Sequence, residues 1–274
     1  NGLVLDKDGN KMSKRLGNTA DPFEIIERYG ADATRWYMIV NAQPWENLKF
    51  DENGIREVQR KFFGTLYNTY SFFALYANID NFNYLEKEID LQKRGELDRW
   101  ILSELNTLIK SVEYNLENYE PTRSARIIQD FVVNKLSNWY VRLSRRRFWK
   151  GDYNPDKISA YQTLYECLEK IAVISSVIAP FFMDRLFQDL NTVSKKRAVE
   201  SVHLTSFPKV KGDFINKELE EKMQLAQQIT TLALSLRKKE QIRVRQPLQK
   251  IMIPILTPKM KKTIMSVESI ILNE

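Results

Sequence analysis

Glu96-Leu97-Asp98-Arg99-Trp100-Ile101-Leu102-Ser103-Glu104-Leu105-Asn106-Thr107-Leu108-Ile109-Lys110-Ser111-Val112-Glu113-Tyr114-Asn115-Leu116 decides the architecture. Leu97, Ile101, Leu105, Leu108, Val112 and Leu116 recur at steps of three or four, the spacing that gathers side chains on one face of an α-helix. The same period continues on both sides. Pro121-Thr122 breaks the chain, and Thr122 to Trp149 reads as the next helix. Asp156 to Ala179 carries Tyr161, Leu164, Leu168, Ile171 and Ser175, Pro180 ends or kinks it, and Phe181 to Leu190 follows. Lys217 to Lys239 and Pro258 to Leu272 complete the helical pattern toward the C-terminus.

Toward the N-terminus, Val58, Phe62, Leu66, Thr69 and Phe73 give a long aromatic helix over Asp51 to Ala77. Asp21-Pro22 supplies an N-cap and a first-turn proline for a short helix that ends near Gly30, and another runs from Asp32 to about Val40. Leu3-Val4-Leu5 reads as a strand followed by a turn-rich segment, Asp6-Lys7-Asp8-Gly9-Asn10. Glu200 to Leu204, with His203 on the same side as Ser201, and Ile251 to Leu256 are further strand candidates. Asn78 to Arg94 lacks a period and reads as a loop at a domain boundary. The expected fold is mostly α: a helix bundle with a small strand-containing piece at its start and a short α/β piece at its end.

The chain has 274 residues, 43% hydrophobic and 28% charged, an ordinary globular balance with room for one large domain or two small ones. Its longest apolar run, Ile171 to Phe182, is interrupted by Ser175, Ser176 and Pro180 and falls short of the roughly 20 residues a membrane helix needs, so no membrane partner is expected. The first residues run straight into charges and lack a secretory-signal pattern. Cys167, the single cysteine, lies in an apolar helical pattern. That excludes a disulfide framework and a cysteine zinc cluster, and fits a reducing cytoplasm. His203 is the single histidine, which excludes chemistry that needs a His pair; no metal site is expected.

The net charge of +7 is a mild sign of a polyanionic partner, and its distribution is more specific. Arg142, Arg145, Arg146, Arg147 and Lys150 occur within Trp139–Lys150 without an acid, interleaved with Trp139, Tyr140, Phe148 and Trp149. At 100° per residue, Val132, Leu136, Trp139 and Leu143 form the core face. Lys135, Arg142, Arg145 and Trp149 share a neighbouring face. Exposed cations beside an aromatic grip phosphates and stack unpaired bases. Arg146 falls near the core face and is expected to pair with a buried carboxylate, while the phase leaves Arg147 undecided. A second cluster, Arg237, Lys238, Lys239, Arg243, Arg245 and Lys250, suits a solvated surface and RNA contact equally.

Lys11-Met12-Ser13-Lys14-Arg15 follows the turn and precedes the helix at Asp21. Two lysines three positions apart on a loop can converge on one polyphosphate as mobile point charges, and the Ser13 hydroxyl can add a donor. As bare spacing this is common on protein surfaces.

The loop resembles the signature loop of the class I aminoacyl-tRNA synthetases, whose commonest form has Ser in place of Arg15. Asn1-Gly2-Leu3-Val4-Leu5, Asp21-Pro22 and Tyr29-Gly30-Ala31-Asp32-Ala33-Thr34-Arg35 are similar to the isoleucyl, valyl and leucyl subgroup. Ser137-Asn138-Trp139-Tyr140 with Ser144-Arg145-Arg146-Arg147-Phe148-Trp149-Lys150 resembles the anticodon-binding bundle of its isoleucine-specific members. So do three other segments: Glu46-Asn47-Leu48-Lys49-Phe50, Glu200-Ser201-Val202-His203-Leu204 and Val244-Arg245-Gln246-Pro247-Leu248. The resemblance covers nearly the whole chain and fades after about Pro254.

The resemblance implies four regions: 1–50, the end of a class I catalytic domain with the loop and stem-contact helices; 51–92, a connecting helix and loop; 93–210, the anticodon-binding helical bundle; and 211–274, the start of a C-terminal junction. It implies that Lys11 and above all Lys14 stabilise the pyrophosphate of ATP during amino-acid activation, with Ser13 as a further ATP contact. It implies tRNA contacts at Lys135, Arg142, Arg145, Trp149 and Lys150. The partners it implies are isoleucine, ATP with Mg²⁺ and tRNA(Ile), with no zinc in this stretch, in a monomeric cytoplasmic enzyme. The family's two-histidine motif, amino-acid pocket, most of its Rossmann sheet and its editing domain would lie upstream, so the chain by itself is expected to be inactive. A valine-specific relative is the nearest alternative; the Glu46–Phe50 segment and the Tyr and Phe content of Phe62–Tyr76 weigh against it. A stand-alone helical RNA-binding module is the alternative from another class, and a purely structural scaffold leaves the loop unexplained.

Overall fold

The computed structural model describes residues 2–272; Asn1, part of one segment that carries the resemblance, lies outside them. The chain divides into two compact units, Asn1–Ile215 and Asn216–Glu274.

The first unit begins with β1 (Val4–Leu5), α1 (Pro22–Tyr29), α2 (Ala31–Asn41) and β2 (Leu48–Lys49). β1 and β2 pair in parallel, Val4 opposite Leu48 and Leu5 opposite Lys49. Helices follow as α3 (Glu52–Val58), α4 (Gly64–Ile79), α5 (Glu96–Glu117), α6 (Pro121–Asp130), α7 (Arg142–Trp149), α8 (Pro155–Ser175) and α9 (Pro180–Ser194). Two π-helical stretches, Gln59–Phe63 and Phe131–Val141, join α3 to α4 and α6 to α7 without a break.

Local chemistry sets the helix starts. The Asp21 carboxylate accepts from the Phe23 and Glu24 amides with Pro22 in the first turn, and the Asn154 side chain accepts from the Lys157 amide ahead of Pro155. Gly54 has no room for a side chain, because a Cβ there would come within 2.3 Å of the Tyr37 ring.

α8 is the axis of the unit and is buried on all sides, from Tyr161 and Leu164 to Ile171 and Ile174. Its buried polar groups are matched by the loops around it. Gln162 takes the Ile89 amide at 2.9 Å and gives to the Lys87 carbonyl at 3.1 Å, and Thr163 takes Arg94 at 2.9 Å. Glu166 pairs with Lys211 at 2.9 Å, and Glu169 pairs with Arg197 at 2.7 Å. The stretch from Asn78 to Arg94, expected as a loop, is therefore a tied one: Phe82 stacks on Tyr161 with ring centroids 4.9 Å apart. Cys167 is fully buried, and burial pushes its thiol well up, out of reach of ordinary reactivity.

α2 locks the strand-bearing end onto the bundle. Asp32 accepts the Phe182 amide at the start of α9 at 2.6 Å, and Arg35 donates to the Ile178 carbonyl between α8 and α9 at 2.8 Å. At the other end, Arg126 and Thr122 donate to the Val40 and Ala42 carbonyls at 2.9 and 3.1 Å. Between them Trp36 is fully buried, stacks on Phe62 at 4.1 Å and donates to Gln129 at 3.2 Å. Asp32 and Arg35 reaching α9 and the α8–α9 junction, with Arg126 on the last carbonyls of α2, are charge-assisted contacts that fix the orientation of α2.

Glu200–Leu204, expected as a strand, contains a 3-10 turn at Val202–Leu204 instead. The Asp184 carboxylate takes both the Ser201 hydroxyl and the Val202 amide, and Ser201 in turn takes the His203 amide, which curls the backbone away from a ladder.

The second unit holds α10 (Lys217–Lys239), α11 (Pro258–Ser266) and α12 (Glu268–Leu272). Met223, Ala226 and Ile229 of α10, Val267 before α12 and Ile271 within it are buried. The other expected strand, Ile251–Leu256, is irregular. Arg237 folds back onto the Arg243 and Gln246 carbonyls at 3.2 and 2.9 Å, while Lys238, Lys239, Arg243, Arg245 and Lys250 are exposed.

Candidate phosphate loop and nucleic-acid interface

The loop carrying Lys11, Ser13 and Lys14 is framed by two side chains. Asp6, directly after β1, accepts the Asp8 and Asn10 amides at 3.0 and 2.7 Å and the Asn18 side-chain amide at 2.9 Å. The turn closes through Gly9, whose φ of 91° suits a residue without Cβ. Asn18 faces both limbs: its amide also reaches the Lys11 carbonyl at 3.3 Å, and its oxygen takes the Ser13 amide at 2.8 Å. The hydrogen bonds from Asn18 and Asn10 hold the Asp6 carboxyl below its ordinary value, so it stays an acceptor. Lys14–Leu16 then forms a 3-10 turn ended by Gly17 in the left-handed region.

The backbone is thus held while the cations stand clear. Lys11, Lys14 and Arg15 are exposed, and among the described residues no carboxylate pairs with any of them. Ser13 is half-buried and its side chain makes no cap to the turn, which leaves the hydroxyl for another acceptor. Such a loop can neutralise charge on a polyphosphate without first breaking an ion pair.

The basic helix differs from its sequence reading. Arg142, Arg145, Trp149 and Lys150 are exposed, Trp149 at 59%, and the Arg142 guanidinium lies 5.7 Å from the centroid of the Trp139 ring. Lys135 does not join this row as an open cation. It is half-buried and its ammonium donates to the buried Glu104 at 2.6 Å.

The arginine that meets a buried carboxylate is Arg147, not Arg146. Its terminal nitrogens lie 2.7 Å from each oxygen of the fully buried Asp98, and its Nε lies 2.9 Å from Asp156. Arg146 is exposed. The cause is the π-helical stretch Phe131–Val141: its i→i+5 bonding admits extra residues per turn and slips the phase assumed for an α-helix. The buried row runs Val132, Leu136, Tyr140, Ser144, Phe148, while Leu143 is only half-buried.

Neither the loop frame, Asp6 and Asn18, nor the Asp98–Arg147 pair was found by reading the sequence. Asp6 sits in a turn-forming cluster that signals an Asx turn. Nothing in the sequence marks Asn18, whose partners are set by the closure of its loop, or Asp98, which acts across the fold.

The family model for the anticodon-binding domain of tRNA ligase matches residues 98–252, and that for class I tRNA synthetases (I, L, M and V) matches residues 1–51. The chain is 65% identical over its whole length to an isoleucine–tRNA ligase of Cytophaga hutchinsonii, covering 25% of that protein. It is 59% identical over its whole length to one of Bacteroides thetaiotaomicron, covering 24% of it, and 46% identical over 92% of the chain to one of Clostridium novyi, again covering 24%. The chain therefore spans about a quarter of the length of the curated relatives it matches. Among solved structures it is similar to LeuRS of Agrobacterium radiobacter K84 in a ternary complex with tRNA and LeuAMS: TM-score 0.58, 18% identical, covering 78% of this chain and 24% of that one. It is also similar to methionyl-tRNA synthetase of Mycobacterium tuberculosis bound by methionyl-adenylate: TM-score 0.59, 18% identical, covering 78% and 43%. At that identity the likeness is one of fold.

Proposed function

We propose, for a chain that belongs to the family defined by the anticodon-binding domain of tRNA ligase, that it is the loop-and-arm part of an isoleucine–tRNA ligase. The observation that carries this is similarity to isoleucine–tRNA ligases along all 274 residues, through both the phosphate loop and the basic helix. A valine-specific reading is not favoured by these relatives.

In the longer enzyme the isoleucine carboxylate attacks the α-phosphate of ATP, pyrophosphate leaves, and a terminal ribose hydroxyl of tRNA(Ile) then takes the acyl group from the adenylate, releasing AMP. Lys14 and Lys11 supply positive charge to the leaving pyrophosphate, and the Ser13 hydroxyl donates to a phosphate oxygen. Mg²⁺ arrives with the nucleotide. The exposure of these lysines and the rigid backbone under them support that role. Arg142, Arg145 and Lys150 hold phosphates of the anticodon arm and Trp149 stacks an unpaired base. Lys135 contributes through its pair with Glu104 by bracing the arm.

Residues 1–50, 51–92, 93–210 and 211–274 take the roles of catalytic end, connector, anticodon bundle and C-terminal junction. The setting is a monomer in the cytoplasm; a single buried thiol, Cys167, suits a reducing compartment. The chain by itself does not activate isoleucine.

The test is Lys14→Ala in the full-length ligase. Isoleucine-dependent ATP–pyrophosphate exchange is expected to fall by more than about tenfold, the scale of one lost transition-state donor. An unchanged rate would return the loop to a structural role.

A further inference from the structure

α7 has eight residues, of which only Ser144 and Phe148 are buried. It enters from a π-helical stretch, whose phase is not that of an α-helix, and leaves at Lys150 in an extended conformation. α7 continues the well-buried Phe131–Val141 stretch without a break, but beyond it only Ser144 and Phe148 are buried, so apolar contact does little to fix the rotation of its outer turns.

Arg147 supplies what the apolar contacts lack. Its fork lies on Asp98 of α5 with both distances at 2.7 Å. Its other edge meets the Asp156 carboxylate of α8 at 2.9 and 2.8 Å and the Asp156 carbonyl at 3.0 Å. Asp98 is saturated in turn, taking the Tyr140 hydroxyl at 2.7 Å and the Ser159 hydroxyl at 2.6 Å. A planar guanidinium held along two edges by carboxylates on two helices cannot turn about the α7 axis. A slip of one residue is about 100° of rotation. It would bury Arg146 in place of Arg147 and carry Arg142, Arg145 and Trp149 away from their common side.

We infer that Arg147, through Asp98 and Asp156, is the positioning residue that selects the rotational setting of the RNA-facing row on α7. This inference rests on the reading of that row as a tRNA surface. A buried ion pair adds little net stability compared with apolar residues of similar volume, whereas fixing a register is its best-attested use.

The 274-residue chain, its Asp98→Leu/Arg147→Met variant and its Asp156→Asn variant are each titrated with tRNA(Ile) and with a non-cognate tRNA at two salt concentrations, alongside thermal melting. In the double variant the salt slope is expected to hold, since Arg142, Arg145 and Lys150 remain, while the melting point falls as the Tyr140 and Ser159 hydroxyls lose their acceptor. The affinity for tRNA(Ile) falls by about tenfold, the scale of one lost stacking contact. Asp156→Asn touches only a carboxylate that is 60% exposed, so it folds even where the double variant does not, and it loses a smaller part of the affinity. Undiminished affinity in the folded double variant, or in Asp156→Asn if only that one folds, overturns the inference. Absence of tRNA(Ile) preference in the unaltered chain instead overturns the functional reading on which it rests.

Discussion

Asn18 holds Asp6 through its side-chain amide at 2.9 Å while its oxygen receives the Ser13 amide at 2.8 Å, so one side chain joins both limbs of the loop that presents Lys11 and Lys14. Asn18→Ala removes this strut and leaves both lysines in place. In the full-length ligase the pyrophosphate-exchange rate is expected to fall severalfold. Stability should change by no more than about 1 kcal/mol, the worth of ordinary hydrogen bonds at a part-exposed site. Exchange kinetics and a melting curve on the same preparation check this; an unaltered rate would show that the lysines need no framed loop.

Asp98→Ala leaves Arg147, whose side chain is only 18% exposed, with only its outer partner, Asp156. Stranding a buried charge in this way is expected to cost about 3 kcal/mol in urea unfolding, more than removing both charges together. A loss below about 1 kcal/mol would mean that Asp156 and water replace Asp98 fully.

Glu169 gives a pH signature. Burial alone would raise its carboxyl, but the hydrogen bond from Arg197 and the charge of Lys170 outweigh burial and hold it below its ordinary value of 4.5. As the pH falls the unfolded chain takes up this proton first, so the contribution is complete above pH 4.5 and is lost as the pH drops through the lower folded value. Glu169→Gln is therefore expected to cost most at neutral pH and progressively less below 4.5, read from denaturant midpoints across that range. A cost independent of pH would remove the ion pair from the stability of this end of α8.

The helical period of Leu97 to Leu116 led directly to α5, and Asp21-Pro22 to the start of α1, because those signals are local: an apolar stripe and a cap each act within one or two turns. The same arithmetic placed Val132, Leu136 and Trp139 in the core and failed only beyond them, at Leu143 and Arg146. Nothing in Phe131–Val141 announces i→i+5 bonding, which arises from how that segment packs in the bundle, and the error carried forward to exchange Arg146 for Arg147. Glu200–Leu204 alternates as a strand does, yet the Asp184 side chain, 17 residues from Ser201, captures its backbone. The exposure of Lys11 and Lys14 was legible from a charged, turn-rich loop; the Asn18 strut that shapes the loop was not.

The exposed row of α7 is proposed as the RNA surface of this chain. The direct measurement is filter binding of the 274-residue chain to tRNA(Ile) across a range of salt, before and after Arg142→Ala with Arg145→Ala. Binding is expected to weaken with salt, and the slope of log affinity against log salt to lessen by about 1.5 in the double variant, as two phosphate contacts are lost. The same slope in both proteins would place the RNA surface elsewhere on the chain.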